Sequence, residues 1–533
     1  MGTSKSDLDL TEGPIARKIV LFALPLLLAS LIQQLYSTVD LLFVGNVLGT
    51  AASAALGIGS LLITCLLGFF SGVSTGVTVV AGHLFGAKDE EGLAAATRAS
   101  LVFALAAGLV VALFGHFFSP LYLDLMETPA EALDDARVYL NFYFVAMIPT
   151  VLFDVAAGAL RAVGDSSSPL AAQAAGGLLN VLMDFLLLCV AGFGIEGAAL
   201  ATLASNACAA VVALAVLAKK GFLALPGATA RRQGAGRGRC GRAGQGKGLP
   251  ALKKVLSVGV PMGLQNMVIT LANIIAQRQI DLLSVEAVAA FTAYFKVELP
   301  IYYAILAVGQ ATTAFVAQNL GAGEEERAQR GSWICQGLGL AVAVALSAFM
   351  LLIGYWAFWI FNQDPEVIAI GRQIIAITFP FYFLYAVFEV QSDTIRGYGR
   401  SVAPAIVAFL NICIFRTLLI VAFTWDGATV EAIAAAYPIS WGTAAACMLA
   451  LRFFCERRQG AELVQLGLSH SEDVDGRPHT HLVDGHAVTH RHEVPEAKGD
   501  GEVGKGVDGE GKEMNSDESL ESGFSQGASA ECR

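Results

Sequence analysis

Apolar residues in this chain come in long unbroken runs, not in one-sided stripes. Twelve such runs lie near 17–42, 51–80, 93–119, 137–160, 169–192, 195–218, 255–277, 288–318, 331–361, 367–394, 402–424 and 430–455, divided by short polar loops. A helix crossing a hydrocarbon core of about 30 Å needs about 20 mostly apolar residues at 1.5 Å each. Helices satisfy their own backbone polar groups where water is absent, so runs of this length predict spanning helices, not strands. The expected fold is an all-α integral membrane protein with 12 transmembrane helices. The stretch before Arg17 is too polar for a cleaved leader, so the first helix is expected to be retained.

Composition agrees. Of 533 residues, 55% are hydrophobic and 15% charged, with mean hydropathy +0.61, whereas soluble domains run near about 25% charged. This argues against a soluble enzyme. The formal net charge of −11 belongs to the tail: residues 459–533 hold 16 acids against 6 bases, and the rest of the chain is nearly neutral. Without a basic footprint, no nucleic-acid partner is expected. The nine cysteines are scattered, with no CxxC pair, so neither a disulfide framework nor a structural zinc site is expected.

Lysines and arginines set the orientation. With the N-terminus inside, 23 of those before residue 459 fall on inside segments and five elsewhere, which places both termini in the cytoplasm of a cell with this protein in its plasma (inner) membrane. The loop from Lys219 to Lys254 carries ten bases and no acid and reads as a flexible linker beside anionic head groups. The expected organisation is an N-terminal segment (1–14), a six-helix lobe (15–218), the basic linker (219–254), a second six-helix lobe (255–458) and an acidic, His-containing tail without regular structure (459–533).

The halves repeat. A shift of 235 or 236 residues lays Lys18 and Pro25 on Lys254 and Pro261, the loop from Phe85 on the loop from Leu320, and Leu160-Arg-Ala-Val-Gly-Asp-Ser-Ser-Ser-Pro169 on Ile395-Arg-Gly-Tyr-Gly-Arg-Ser-Val-Ala-Pro404. Six helices per half is an even number, so both halves enter the bilayer alike and their pseudo-twofold axis runs along the membrane normal. Two such lobes enclose a cleft suited to alternating access, which points to a transporter.

Several motifs stand out in order: Pro25 with Gln33-Gln-Leu-Tyr-Ser-Thr-Val-Asp40, Leu160-Arg-Ala-Val-Gly-Asp-Ser166, Asn180-Val-Leu-Met-Asp184, and Gly197-Ala-Ala-Leu-Ala-Thr202. In these the body of the chain, from about 12 to 458, resembles the multidrug and toxic compound extrusion (MATE) transporters, most of all their bacterial DNA-damage-inducible-protein-F branch. The resemblance implies a secondary antiporter that exports cationic or amphipathic organic molecules in exchange for H⁺ or Na⁺. It implies no other cofactor, no enzymatic activity and no obligate partner beyond substrate and bilayer, so a monomer is expected.

Carboxylates inside the membrane carry the chemistry. Each must be paired, protonated or facing water, and six qualify: Asp40, Asp154, Asp184, Glu298, Glu389 and Asp393. Gln33, Ser37 and Asp40 share a helical stripe with Tyr36 beside it, and Asn180 and Asp184 lie one turn apart. The resemblance places Asp40, Asn180, Asp184 and Thr202 in an ion-coupling cluster of the first lobe, and their oxygens could cage Na⁺ or share a proton. Asp154 and Glu389 each precede an arginine, Arg161 or Arg396, by seven residues and read mainly as helix-end support. Glu298, Glu389 and Asp393 are possible ion sites of the second lobe, Glu298 alternatively pairing with Lys296. From position, the cleft is expected to be lined by Gln33, Gln34, Tyr36, Ser37 and Asn206 from the first lobe and by Gln265, Asn266, Asn273 and Gln277 from the second. Helix 7 has Ala276 where helix 1 has Asp40, so the lobes are not expected to couple alike.

Other patterns carry less. Gly72-Val-Ser-Thr-Gly76 matches a nucleophile elbow as text, but it continues a Gly68, Gly72, Gly76 spacing that permits close helix packing. Gly236-Arg-Gly-Arg-Cys-Gly241 has no strand before it and is no dinucleotide loop. The tail histidines 479, 481, 486, 490 and 492 could chelate a metal loosely in an otherwise unstructured segment. Three rival functions remain: a flippase for lipid-linked saccharides, which would want a basic cavity, a membrane receptor or scaffold working through the tail and linker, and an intramembrane enzyme, which no metal or nucleophile constellation supports.

Overall fold

The computed structural model of the chain describes residues 8–126, 128–223, 248–425, 427–465, 479–483 and 486–490. Twelve helical spans are long and apolar enough to cross a membrane. They are α1 (Ile15–Val47), α2 (Ala55–Gly86), α3 (Glu90–Leu125), α4 (Glu131–Ala162), α5 (Ser167–Val190), α6 (Ile195–Lys219), α7 (Gly248–Ile280), α8 (Val285–Gly321), α9 (Glu325–Trp359), α10 (Pro365–Gly397), α11 (Val402–Phe423) and α12 (Val430–Phe454). Most overrun the apolar runs that announce them, because polar end turns continue the helix after hydropathy has dropped. Asp89, for example, caps α3 by accepting from the Gly92 N–H at 2.8 Å, with Glu90 and Glu91 in the first turn.

Local chemistry marks the breaks. In α8 the regular helix stops at Glu298 and restarts at Leu299 with Pro300 in the new first turn, where a missing N–H does no harm. α10 is interrupted by a 3₁₀ turn, Phe379–Phe381, around Pro380. α5 widens to a π-helix directly after Asp184, over Phe185–Val190, a local irregularity often seen at functional positions.

α1–α6 pack as one lobe and α7–α12 as the other. The repeat is visible in hydrogen bonds: Thr78 donates to the Gly158 carbonyl and Thr313, 235 positions later, to the Asp393 carbonyl, both at 3.1 Å. It recurs in backbone form, with Gly164 at φ +82° and Gly399 at +80° in the matching loops. At the left-handed residue of the other matching pair stand Lys88 (+57°) and Gly323 (+79°).

The lobes meet where α2 lies against α7, where α2 and α1 lie against α8, and where α3 lies against α7. At the first of these, a Cβ on Gly72 would overlap the Gly263 backbone, and one on Gly76 would overlap Val255 and Gly259. Only glycine allows that approach. Asn266 adds a bond from Nδ2 to the Gly68 carbonyl at 3.0 Å. Farther toward the start of α2 the seam parts, and Gly57 faces open space.

α12 continues helically to Gln465, past residue 458. The tail forms a separate unit containing a short antiparallel hairpin, β1 (His479–Val483) with β2 (His486–His490), where the sequence predicted no regular structure. His492 and linker residues 224–247 lie outside the described residues.

Candidate functional site

The first lobe gathers its acids where α1 crosses α5. A Cβ on Gly177 would contact the Tyr36 ring at 2.8 Å, so glycine there lets α1 lie flat on α5. Gln173 then donates from Nε2 to the Tyr36 hydroxyl at 3.0 Å. One turn on from Tyr36, the Asp40 carboxyl comes within hydrogen-bonding reach of the Asp184 carboxyl. Asp184 is fully buried, and Asn180 is 1% exposed one turn before it.

These groups are short of donors. Asp40 Oδ1, Asn180 Oδ1 and both oxygens of Asp184 are buried without a hydrogen-bond partner among the described residues. Buried polar atoms are nearly always satisfied, and an unmatched acceptor costs about 1–3 kcal/mol, more when it is charged. Four on three neighbouring side chains form a site that calls for a proton or a cation. Thr202 does not supply the donor: its hydroxyl donates to the Ala198 carbonyl of its own helix at 3.1 Å.

Sequence reasoning missed part of this site. Tyr139 lies within electrostatic reach of Asp40 and Asp184, and Tyr143 of Asp40 and Asp154, the two rings being 5.7 Å apart on α4. Gln173 was findable, since positions 173, 177, 180 and 184 form one helical stripe. The tyrosine pair was not, because aromatics four apart in an apolar helix look like ordinary core. Asp154 and Arg161 are linked through Ser74, which bonds the Asp154 carbonyl and receives Arg161 Nη2 at 2.8 Å.

The second lobe is arranged differently. Arg396, 1% exposed, donates from Nη1 to Asp393 Oδ1 at 2.7 Å, stands 3.7 Å from Glu389 Oε1, and donates from Nη2 to Gln265 Oε1 at 3.1 Å. Glu389 and Asp393 are thus ion-paired where Asp40 and Asp184 of the first lobe are orphaned. Glu298 accepts from the Tyr382 hydroxyl at 3.2 Å, and Lys296 beside it is exposed. Around it Tyr382 packs on Trp441 at 4.9 Å, Tyr302 stacks on Tyr385 at 5.8 Å, and Arg416 lies 4.6 Å over Tyr437.

The residues expected to line the cleft divide. Gln33, Ser37 and Asn273 are exposed, and Tyr36 and Asn206 are half-buried. Gln34 accepts from Tyr303 of the opposite lobe at 3.2 Å, and Gln277 donates to Asp281 at 2.8 Å. Gln265 is occupied with Arg396 inside its own lobe and Asn266 with the Gly68 carbonyl across the seam, so these groups brace the packing.

Comparison with known proteins places these features in context. The family described as MatE matches twice, over residues 25–186 and 261–422. The chain is 24% identical over 414 residues to the probable multidrug resistance protein YpnP of Bacillus subtilis (strain 168), covering 76% of this chain and 88% of that one. It is 27% identical over 410 residues to the probable multidrug resistance protein YoeA of the same organism, covering 75% and 85%. Among solved structures, the outward-facing conformation of a multidrug resistance MATE family transporter of the MOP superfamily superposes with a TM-score of 0.76 at 20% identity, covering 87% of this chain and all of that one.

Proposed function

The chain belongs to the MatE family, and from that premise we propose that it is a secondary antiporter exporting cationic or amphipathic organic molecules in exchange for H⁺ or Na⁺ by alternating access. The observation that carries this reading is the contact between the Asp40 and Asp184 carboxyls, with the Asn180 oxygen nearby and no donor for any of them. A proton held between the two carboxyls satisfies the pair with the least rearrangement, and a desolvated Na⁺ would recruit Asn180 as well. A loaded ion removes the attraction for a cationic substrate and biases the equilibrium between lobe positions. Each charge moving inward contributes about 2.3 kcal/mol per 100 mV, about fiftyfold in a concentration ratio.

The second lobe takes the supporting part. Glu389 and Asp393 share the single guanidinium of Arg396, which lies closer to Asp393, and hold the end of α10, and the stacked rings of Tyr302 and Tyr385 give a flat organic cation a surface. A flippase for pyrophosphate-linked lipids would need free guanidinium groups. Here Arg396 is paired with acids, and Arg416 donates to Ser440 at 2.9 Å and packs on Tyr437.

The test is ethidium efflux from proteoliposomes under an imposed proton or sodium gradient, with both termini on the side from which substrate leaves. Efflux driven by one gradient and lost in Asp40→Asn supports the reading. An Asp40→Asn protein that exports normally, or a wild type that moves nothing under either gradient, overturns it.

A further inference from the structure

Residues 8–13, ahead of the first helix, do not trail into solvent. The Leu8 N–H donates to the Gly164 carbonyl, in the α4–α5 loop of the first lobe, at 3.2 Å. A Cβ on Gly164 would overlap the Leu8 backbone, so the loop is shaped to receive it. Two residues on, Leu10 is fully buried and bonds only to the second lobe: its N–H donates to Gln318 Oε1 at 3.2 Å, and its carbonyl accepts from Asn319 Nδ2 and Arg327 Nη2, both at 3.3 Å. Arg327 Nη2 also reaches the Gly13 carbonyl at 2.9 Å. The Leu10 side chain sits in an apolar cluster with Ile19, Phe22, Ala311 and Phe315. Asp9 holds the turn by accepting from the Thr11 N–H at 2.9 Å, while Lys18 donates to the Asp9 carbonyl. The segment therefore lies across the seam, fastened to one lobe at Leu8 and to the other at Leu10.

It lands on a second fastening. Gln318, the acceptor for Leu10, donates through Nε2 to the Ala162 carbonyl at 2.8 Å, from second lobe to first. His83 Nε2 stands 3.0 Å from the Gly397 carbonyl, from first lobe to second. These bonds are one bond repeated by the pseudo-twofold, since 83 and 162 become 318 and 397 on adding 235. They join the ends of α2 and α8 to the ends of α10 and α4, at the closed end of the seam and away from Gly57.

We propose that residues 8–13 are a strap over the inner gate: seated across the seam with Gln318 and His83 beneath, they hold the lobes together at the end bearing the N-terminus, and each transport cycle unseats them. This rests on the alternating-access reading above. That reading requires the same end to open once per turnover, and opening would pull Leu8 and Leu10 in opposite directions. A burial that spans two moving bodies cannot survive the movement, so the strap's grip sets how much of the population waits in the conformation closed at this end.

Ala87 and Ala322, exposed and related by the same repeat, end α2 and α8 on either side of the seam. Spin labels on Ala87→Cys and Ala322→Cys, in full-length protein with its native cysteines replaced and reconstituted in liposomes, read the inner opening directly. The expected result is one predominant short distance in the otherwise unaltered chain. In Leu10→Asp, in Gln318→Ala and in a chain lacking residues 2–13, the long-distance population should rise at least threefold. A bismaleimide bridge between Thr11→Cys and Arg327→Cys should hold the short distance and stop ethidium efflux. Unchanged distances in all three altered chains, or a bridged protein that still transports, overturn the strap. A misfolded variant is recognised by loss of its cooperative melt, and the bridged protein, whose covalent link stands in for the Arg327 bonds it removes and leaves the Leu10 side chain and its bonds to Gln318 and Asn319 in place, then decides alone. Failure of the antiport reading is separate, since it shows as absent gradient-driven efflux in the wild type whatever the distances.

Discussion

Asp184 is the position where the physics is most exposed. A fully buried carboxyl whose oxygens have no donor but a neighbouring acid is costly unless an ion or proton is present, so its neutral isostere should relieve the fold and disable the function. Asp184→Asn is expected to melt at or above the wild-type temperature and to lose gradient-driven ethidium efflux at least tenfold. A variant that melts lower and still transports would mean the carboxyl is a structural acceptor. Lys88 poses the opposite case, with a left-handed backbone at φ +57° where the second repeat has Gly323. L-residues give up about 1–2 kcal/mol in that region; Lys88→Gly should therefore stabilise by about 1 kcal/mol, read as a higher melting temperature with transport intact. At this scale the sequence was readable where spacing and charge coincide. Asp40, Asn180 and Asp184 announce themselves because acids and amides in an apolar helix have few uses. Thr202, whose hydroxyl is taken by Ala198, shows that a residue type at a matching position does not fix where its proton points.

Among the elements, α10 and its arginine show how the second lobe differs from the first. Arg396 is buried against two acids and Gln265, and removing one member of a buried ionic cluster costs about 3–5 kcal/mol because the remaining charges stay unpaired, whereas replacing all members can be nearly neutral. Arg396→Met should accordingly unfold at markedly lower temperature, and adding Glu389→Gln and Asp393→Asn should recover most of the loss. If the single variant melts like the wild type, the cluster is open to water and the two acids are available to an ion after all. The pairing was half visible beforehand, since Asp393 and Glu389 lie three and seven residues before Arg396 on one helix face. The part played by Gln265 was not, because it comes from α7, 131 positions away. Helix breaks follow the same division. Pro300 and Pro380 signal where α8 and α10 are interrupted, but the π-helical turn after Asp184 has no proline or glycine to betray it and depends on packing between helices.

For the molecule as a whole, the repeat does the organising, and what it leaves unsymmetrical does the work. The two lobes share loop conformations and reciprocal bonds down to single carbonyls. Yet Asp40 and Asp184 are orphaned in one lobe while Glu389 and Asp393 are paired in the other, and the strap's bond from Leu10 reaches Gln318 308 residues along the chain. A short polar segment with two leucines carries no sign of such burial, because its partners exist only once both lobes have formed. The Gly68, Gly72, Gly76 ladder was legible as a packing surface, and the structure adds that its partner is α7 of the opposite lobe. That gives a test of the moving interface that leaves both the acids and the strap untouched. Gly72→Val places a branched side chain where the Gly263 backbone already lies, an overpacking that costs about 1–3 kcal/mol, and this cost falls on the conformation in which α2 and α7 are in contact. Gly57→Val on the same helix meets nothing within 4 Å. The first should cut ethidium efflux at least tenfold while each lobe keeps its helical content by circular dichroism, and the second should transport within twofold of the wild type. Equal activity in the two would show that the close seam between α2 and α7 is not one that transport must re-form.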